Sequence, residues 1–232
     1  MKQATPDLDA FKKAAALKAV EHVRTGMIVG LGTGSTAKHV IVALGERVKK
    51  GLKVKGVPTS QETARLARKA RIPLLPDDEI WPIDMAIDGA DQVDPQLNLV
   101  KGGGGALLKE KIVAAAAQRF IVVVDHTKRV SVLGGSFPLP VEIIPFGWAN
   151  TARTIEALGG KAVLRTRAGK IFRTDAGHYI VDVHLPRIDD PASLEAALNR
   201  IPGVVENGLF VARTSLLIVG TPAGVEEQHA GR

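Results

Sequence analysis

The chain has 232 residues and a formal net charge of +7, from 31 lysines and arginines against 24 aspartates and glutamates. Hydrophobic residues make up 45%, enough for a packed core, and aromatics only 4%, so that core is Ala, Val, Ile and Leu. The absence of cysteine excludes disulfides and thiolate metal sites and favours a reducing compartment; Met1–Ala10 is polar with no apolar signal region, and no apolar run is long enough to span a bilayer. The positive charge suits an anionic ligand. The basic residues are scattered with few aromatics among them, which argues against nucleic acid.

Leu8, Phe11, Ala15, Ala19 and Val23 recur at helical spacing, which predicts an amphipathic helix over 7–24, capped by Asp7 or Asp9 and closed by Thr25-Gly26. Met27–Leu31 is a short apolar run of the kind buried on both faces of a sheet. Gly32-Thr33-Gly34-Ser35-Thr36 follows, and Ala37, Val40, Ile41, Leu44 and Val48 then mark a helix. Strand, Gly/Ser/Thr turn and helix together present N–H groups and hydroxyls to a phosphate. The P-loop spacing is absent. Ala37 stands where a dinucleotide fingerprint has its third glycine, so a nucleotide site is the lesser reading.

Lys53–Val57 reads as the next strand, and Thr59-Ser60-Gln61-Glu62 has the form of a capping box opening a helix to about Ala70. Ile72–Leu75 reads as a short strand whose proline places it at an edge. Asp84–Asp88 is a strand ending in the acidic turn Asp88-Gly89-Ala90-Asp91, and Leu97–Val100 feeds Lys101-Gly102-Gly103-Gly104-Gly105. Four consecutive glycines lose much backbone freedom on folding; what they offer is a main chain able to approach a bound group closely, N–H groups outward. An Ala-rich helix over 106–118 follows, with Leu107, Ile112, Val113 and Ala116 inward and Glu110 one or two turns in. Its N-terminus favours an anion. Phe120–Val124 is the most hydrophobic strand, ending at Asp125, with Lys128 in the loop beyond.

Strand and helix alternate throughout this part, which predicts an α/β fold: a mostly parallel, Rossmann-like sheet with helices on both faces. Ligands gather at the carboxyl ends of such strands. This places Thr33, Gly34, Ser35, Thr36, Asp88, Asp91, Lys101, Gly102, Gly103, Gly104 and Lys128 on one rim. From Phe137 the texture changes. Strands at Val141–Ile144, Ala162–Arg165, Tyr179–Val183 and Val204–Val211 alternate with helices at Trp148–Leu158 and from Pro191, capped by Asp189 or Asp190, to near Asn199. The order β-α-β-β-α-β predicts a smaller ferredoxin-like α+β domain. Ser215–Gly220 is expected to return to the main sheet, and the polar tail from Glu226 to fray. The expected domains are 1–136 with 212–232, and 137–211.

Val29-Gly30-Leu31-Gly32-Thr33-Gly34-Ser35-Thr36, Asp88-Gly89-Ala90-Asp91 and Lys101-Gly102-Gly103-Gly104-Gly105-Ala106-Leu107-Leu108-Lys109-Glu110-Lys111 together resemble the motifs of type A ribose-5-phosphate isomerase. Pro58-Thr59-Ser60, Phe137-Pro138-Leu139-Pro140-Val141-Glu142, Ile201 to Phe210 and Gly220-Thr221-Pro222 extend the resemblance over nearly the whole chain. It implies a cofactor-free, metal-free aldose–ketose isomerase of ribose 5-phosphate and ribulose 5-phosphate, in the non-oxidative branch of the pentose phosphate pathway. It also implies a homodimer or homotetramer; composition, for its part, gives the expectation of a cytoplasmic protein with no nucleic-acid or membrane partner. By position, Thr33, Gly34, Ser35, Thr36, Asp88, Gly89, Ala90, Asp91, Lys101, Gly102, Gly103, Gly104 and Lys128 line the substrate site; Glu110 matches the proton acceptor, with Asp88 and Lys101 beside it in the catalytic set.

That chemistry needs one carboxylate placed over two adjoining carbons, donors for the enediolate, and an acid–base group to open the furanose ring. Glu110 suits the first task, the glycine-run N–H groups the second and Asp88 the third, with Asp91 holding sugar hydroxyls. Lys101 or Lys111 could offset the charge of Glu110. Asp88 and Asp91 could instead be turn residues or a metal pair, but no histidine is spaced to complete a metal site. The alternatives are a non-catalytic sugar-phosphate sensor and an amino-sugar phosphate isomerase-deaminase.

Overall fold

The computed structural model of the protein describes residues 7–231. Helix α1 (Leu8–Val20) starts at Asp7, whose carboxylate accepts from the N–H groups of Asp9 and Ala10, and it stops short of the expected residue 24. Strand β1 (Ile28–Leu31) leads through the Gly/Ser/Thr turn into α2 (Ser35–Lys49), which buries Ala37, Val40, Ile41 and Leu44. Strand β2 (Lys55–Pro58) precedes α3 (Gln61–Lys69), whose cap is Ser60: its Oγ accepts from the Thr63 N–H at 3.0 Å. The expected strand at 72–75 reduces to a single bridge, Leu74 to Gly56.

Strands β3 (Met85–Asp88), β4 (Gln92–Val93) and β5 (Leu99–Val100) lead to α4 (Leu107–Ala116) and β6 (Phe120–Asp125). Beyond lie β7 (Leu139–Ile143), α5 (Trp148–Glu156), β8 (Lys161–Leu164), the small hairpin β9 (Thr166–Arg167) and β10 (Lys170–Ile171), and β11 (Tyr179–His184). Helix α6 (Pro191–Leu198) begins with its proline where no N–H is needed, capped by Asp190. The chain closes with β12 (Val204–Asn207), β13 (Leu209–Phe210), β14 (Leu216–Thr221) and β15 (Gly224–His229).

Two compact units result. One holds the chain up to Gly89, Val113–Lys128 and the segment from Thr214 on; the other holds Ala90–Ile112 and Arg129–Arg213. The first is a six-stranded sheet of order β15-β14-β6-β3-β1-β2, parallel from β14 to β2. Val29, Leu31, Met85, Ile87, Ile121, Val123, Leu216 and Ile218 pack there with Ala16, Ala19, Val40, Ile41 and Leu44 of the helices. Its edge corrects one expectation. The tail from Glu226 is not frayed but pairs antiparallel with β14, from Leu216↔His229 to Thr221↔Gly224. Both faces of this edge strand are largely exposed, so it carries no alternating apolar pattern; main-chain pairing with β14 holds it, and Glu227 adds an ion pair to Lys18 of α1 at 3.5 Å.

The second unit contains a four-stranded antiparallel sheet of order β12-β7-β11-β8 with α5 and α6, the ferredoxin-like βαββαβ order. Leu139, Val141, Ile143, Ile155, Val181, Val183 and Leu198 form its core. The unit also takes in residues expected in the larger domain, 90–112, 129–136 and 212–213. The reason is strand pairing: β4 and β5 do not join the six-stranded sheet but form a three-stranded sheet with β13, through Leu209↔Val100 and Phe210↔Leu99. The strand expected over 204–211 therefore breaks at Gly208, with β12 on β7 and β13 on β5. A Cβ at Gly208 would collide with the carbonyl oxygen of Lys101. The glycine run accordingly leaves a small separate sheet, not the carboxyl edge of the parallel one. Among the described residues no helix is long and apolar enough to cross a membrane.

Candidate active site

In the first unit the carboxyl ends of β1, β3 and β6 carry Thr33–Thr36, Asp88 and Lys128, as expected for a parallel sheet. Asp88 is 3% exposed, and its Oδ1 accepts from the N–H groups of Thr33 at 3.1 Å and Gly89 at 2.8 Å. These two bonds fix the orientation of the carboxylate. Gly32 makes room for it, since a Cβ there would collide with the carboxylate and fall 2.7 Å from the Asp88 Cα. Gly34 caps α2 at φ +102°, with no side-chain hydrogen bond to the helix start and open space beside it. The first N–H groups of α2 thus meet no capping side chain, the arrangement by which a helix start can receive an anion.

Behind the turn stands a group of hydroxyls that joins Thr33, expected at the substrate site, to Thr59 and Ser60, expected as a helix cap, and to Thr63, for which the sequence suggests no role. Thr33 Oγ1 lies 2.7 Å from Thr59 Oγ1, 2.9 Å from Ser60 Oγ and 3.1 Å from Thr63 Oγ1. Thr59 and Thr63 donate in turn to the carbonyls of Leu31 (3.0 Å) and Gly32 (2.8 Å). The apparent capping box is really this network: Thr59 serves the turn while Ser60 caps the helix. Lys128 is half-buried in a short 3-10 turn after β6. Lys12 of α1 adds a second cation at that end, 3.8 Å from the buried carboxylate of Asp125.

The first turns of α4, the part that belongs to the second unit, settle which lysine stands beside Glu110. The helix buries Leu107, Glu110, Lys111, Val113 and Ala114; Leu107 and Val113 are inward as expected, while Ile112 is 49% exposed and Ala116 exposed, against expectation. Two charges therefore occupy the face that periodicity reserves for apolar side chains. Glu110 Oε2 lies 3.4 Å from Lys101 Nζ, at 6% and 3% exposure. Lys111 turns elsewhere, donating to Glu195 at 2.9 Å and Glu206 at 2.8 Å. The Phe210 ring stands against both ammonium groups, 5.5 Å from Lys101 Nζ and 5.1 Å from Lys111 Nζ.

The glycine run takes a left-handed backbone at Gly102 (φ +104°) and Gly105 (φ +87°), which glycine adopts without strain and a residue with a side chain would not. Gly103 and Gly104 are exposed, and a Cβ on Gly104 would meet nothing within 4 Å. The Gly103 N–H donates to Asp91 Oδ2 at 2.8 Å, so one Asp91 oxygen holds the run itself. Among the described residues no group of three or more His, Cys, Asp or Glu side chains is placed to hold a metal ion.

A family model described as ribose 5-phosphate isomerase A (phosphoriboisomerase A) matches residues 55–224. The chain belongs to the ribose 5-phosphate isomerase A family. A relative named ribose-5-phosphate isomerase A from Gloeobacter violaceus is 54% identical over 221 residues, covering 95% of this chain and 96% of the relative. Another of that name from Bradyrhizobium diazoefficiens is 52% identical over 230 residues, covering 94% and 95%. Among solved structures, a D-ribose-5-phosphate isomerase in complex with phospho-erythronic acid superposes with a TM-score of 0.93 at 43% identity, over 97% of this chain and 100% of that one. Ribose 5-phosphate isomerase A from Methanocaldococcus jannaschii gives 0.91 at 44%, over 95% and 99%. Family membership therefore agrees with the α/β architecture and with an isomerase.

Proposed function

We infer that the chain interconverts D-ribose 5-phosphate and D-ribulose 5-phosphate with Glu110 as the group that moves the proton. The observation that carries this is the buried Glu110–Lys101 pair beside a run of bare glycine amides. A buried ion pair adds little to stability, so its presence asks for a use. Here the use is charge transfer. When the Glu110 carboxylate takes the C2 proton, its negative charge moves to the enediolate oxygen, and the Lys101 ammonium serves whichever of the two is charged. The carboxylic acid then returns the proton to C1 while the C2 hydroxyl proton passes to O1, which leaves the carbonyl at C2. Within the glycine run the Gly103 N–H is held by Asp91 and the Gly105 N–H by the Gly102 carbonyl, and the Gly104 N–H suits an enediolate oxygen as a fixed donor.

The closed sugar must open first. Asp88, held in one orientation by two N–H donors, is assigned as the base for that step. Ser35, Thr36, the uncapped start of α2 and Lys128 are assigned to the phosphate, and Asp91, Gly89 and Ala90 to positioning around the sugar. No cofactor or metal enters the scheme. Resemblance to the family supports a homodimer or homotetramer, and the cysteine-free composition supports a cytoplasmic location; light scattering on the purified protein tests the assembly.

The decisive experiment pairs turnover with calorimetric binding of ribose 5-phosphate. Glu110→Gln is expected to bind the sugar phosphate within a few-fold of the parent and to lose about 10²-fold or more in kcat, the scale of general acid–base catalysis. Unchanged turnover in that variant would remove Glu110 from the mechanism.

A further inference from the structure

Just beyond β8, within the second unit, Arg165 reaches the glycine run. Its Nη1 donates to the carbonyl oxygens of Gly102 at 2.8 Å and Gly103 at 3.3 Å. The rest of the guanidinium is held by Asp182 of β11, through Nε to Oδ2 at 2.9 Å and Nη2 to Oδ1. One planar fork therefore binds a carboxylate on one side and two successive peptide carbonyls on the other, a task for which a lysine has the wrong shape. Phe172 packs against the same stretch: a Cβ on Gly105 would collide with its ring, and the Arg165 guanidinium lies 5.9 Å from that ring.

The peptide plane carries the consequence. In a trans peptide the C=O and the following N–H point to opposite sides. Holding the Gly102 carbonyl turns the Gly103 N–H away from the guanidinium, and it is found on Asp91 Oδ2 at 2.8 Å. Holding the Gly103 carbonyl turns the Gly104 N–H away in the same manner, at an exposed residue with open space beside it. A cation on the carbonyl side also polarises the amide, which makes the N–H a better donor.

We infer that Arg165 is a positioning residue for the isomerisation: it clamps the Gly102 and Gly103 carbonyls so that the Gly104 N–H is presented to the negative charge that develops on the substrate. The inference rests on the reading that the glycine run donates to the enediolate. It gives the ferredoxin-like sheet a task in the chemistry, because β8 and β11 carry the clamp. Arg165 touches no reacting atom; its effect passes through the peptides.

The test compares Arg165→Met, Arg165→Lys and Glu110→Gln in steady-state turnover and in inhibition by phospho-erythronic acid, whose planar carboxylate imitates an enediolate. Loss of one oriented oxyanion donor lowers turnover by about 10²-fold or more. Arg165→Met is therefore expected to lose about 10²-fold in kcat with KM within about threefold, to lose affinity for phospho-erythronic acid in parallel, and to regain part of its rate with added guanidinium. Arg165→Lys, which keeps the charge and the stem, is expected to recover only a fraction of the rate; it decides the matter if Arg165→Met does not fold. A folded variant with kcat within threefold of the parent, or one altered in thermal stability alone, would overturn the inference. If Glu110→Gln also turns over normally, the failure lies in the underlying reading of the site; if Glu110→Gln is inactive and the Arg165 variants are normal, it lies with Arg165.

Discussion

Replacing Lys101 by methionine isolates what the buried ion pair does. Its Nζ lies 3.4 Å from Glu110 Oε2, a separation at which two unit charges attract by about 5 kcal/mol at an effective dielectric of about 20. Both side chains are buried, so both have given up most of their hydration, and the attraction largely offsets that loss without exceeding it. Removing the ammonium alone leaves the carboxylate desolvated and stripped of this cation, at a cost of about 3–5 kcal/mol. At about 2–4 °C per kcal/mol for a chain of this size, Lys101→Met is expected to melt some 6–20 °C lower. The double variant Lys101→Met/Glu110→Leu, with no charge left to strand, is expected to regain most of that loss while remaining inactive. Calorimetric melting and urea titration of the three proteins make the comparison. A single variant within about 1 kcal/mol of the parent, or a double variant as unstable as the single, would refute the reasoning.

Two further expectations concern the turn and the small sheet. Gly32→Ala puts a methyl group against Asp88 and 2.7 Å from its Cα, a backbone atom that no rotamer change can move. The expected result is a loss of about 1–3 kcal/mol in melting experiments together with a large fall in turnover; parent-like turnover would show that the placement of Asp88 is not needed. Glu142 of β7 is 1% exposed, and burial pushes its carboxyl above the ordinary 4.5, with Glu206 adding to the rise and the hydrogen bonds from Thr174 and His178 opposing it. A carboxyl raised in the folded state keeps its proton where the unfolded chain has released it. Its contribution to stability is complete below 4.5 and is lost as the pH rises through the raised value. Glu142→Gln is expected to flatten that decline in melting temperature measured from about pH 4 to 8, and parallel curves for the two proteins would contradict it.

The alternation of apolar strands with helices was legible because the parallel strands are buried on both faces, as at Phe120–Asp125. The ferredoxin-like order was legible from its spacing alone. What the sequence hid falls into three physical kinds. Strand β15 is held by main-chain bonds at an exposed edge and has no side-chain pattern to reveal it. Strands β4, β5 and β13 have two residues each, too short for a period, so their union and the domain boundary it moves were beyond reach. Helix α4 buries Glu110 and Lys111, each against an opposite charge, where apolar periodicity predicts Ile112 and Ala116, and a pattern of apolar side chains has no means of revealing buried charge pairs. Long-range partners such as Arg165 on the Gly102 carbonyl, 63 positions apart, leave no local signal at all.

We propose that one glutamate, Glu110, carries hydrogen between neighbouring carbons of the sugar phosphate. Ribose 5-phosphate labelled with deuterium at C2 tests it most directly, followed by NMR with the parent protein and with Glu110→Gln under saturating substrate. The parent is expected to move deuterium out of C2, part to C1 of the ketose and part to water, while the glutamine variant binds the sugar and leaves the label at C2. Release of the C2 deuterium by Glu110→Gln at the parent rate would contradict the account.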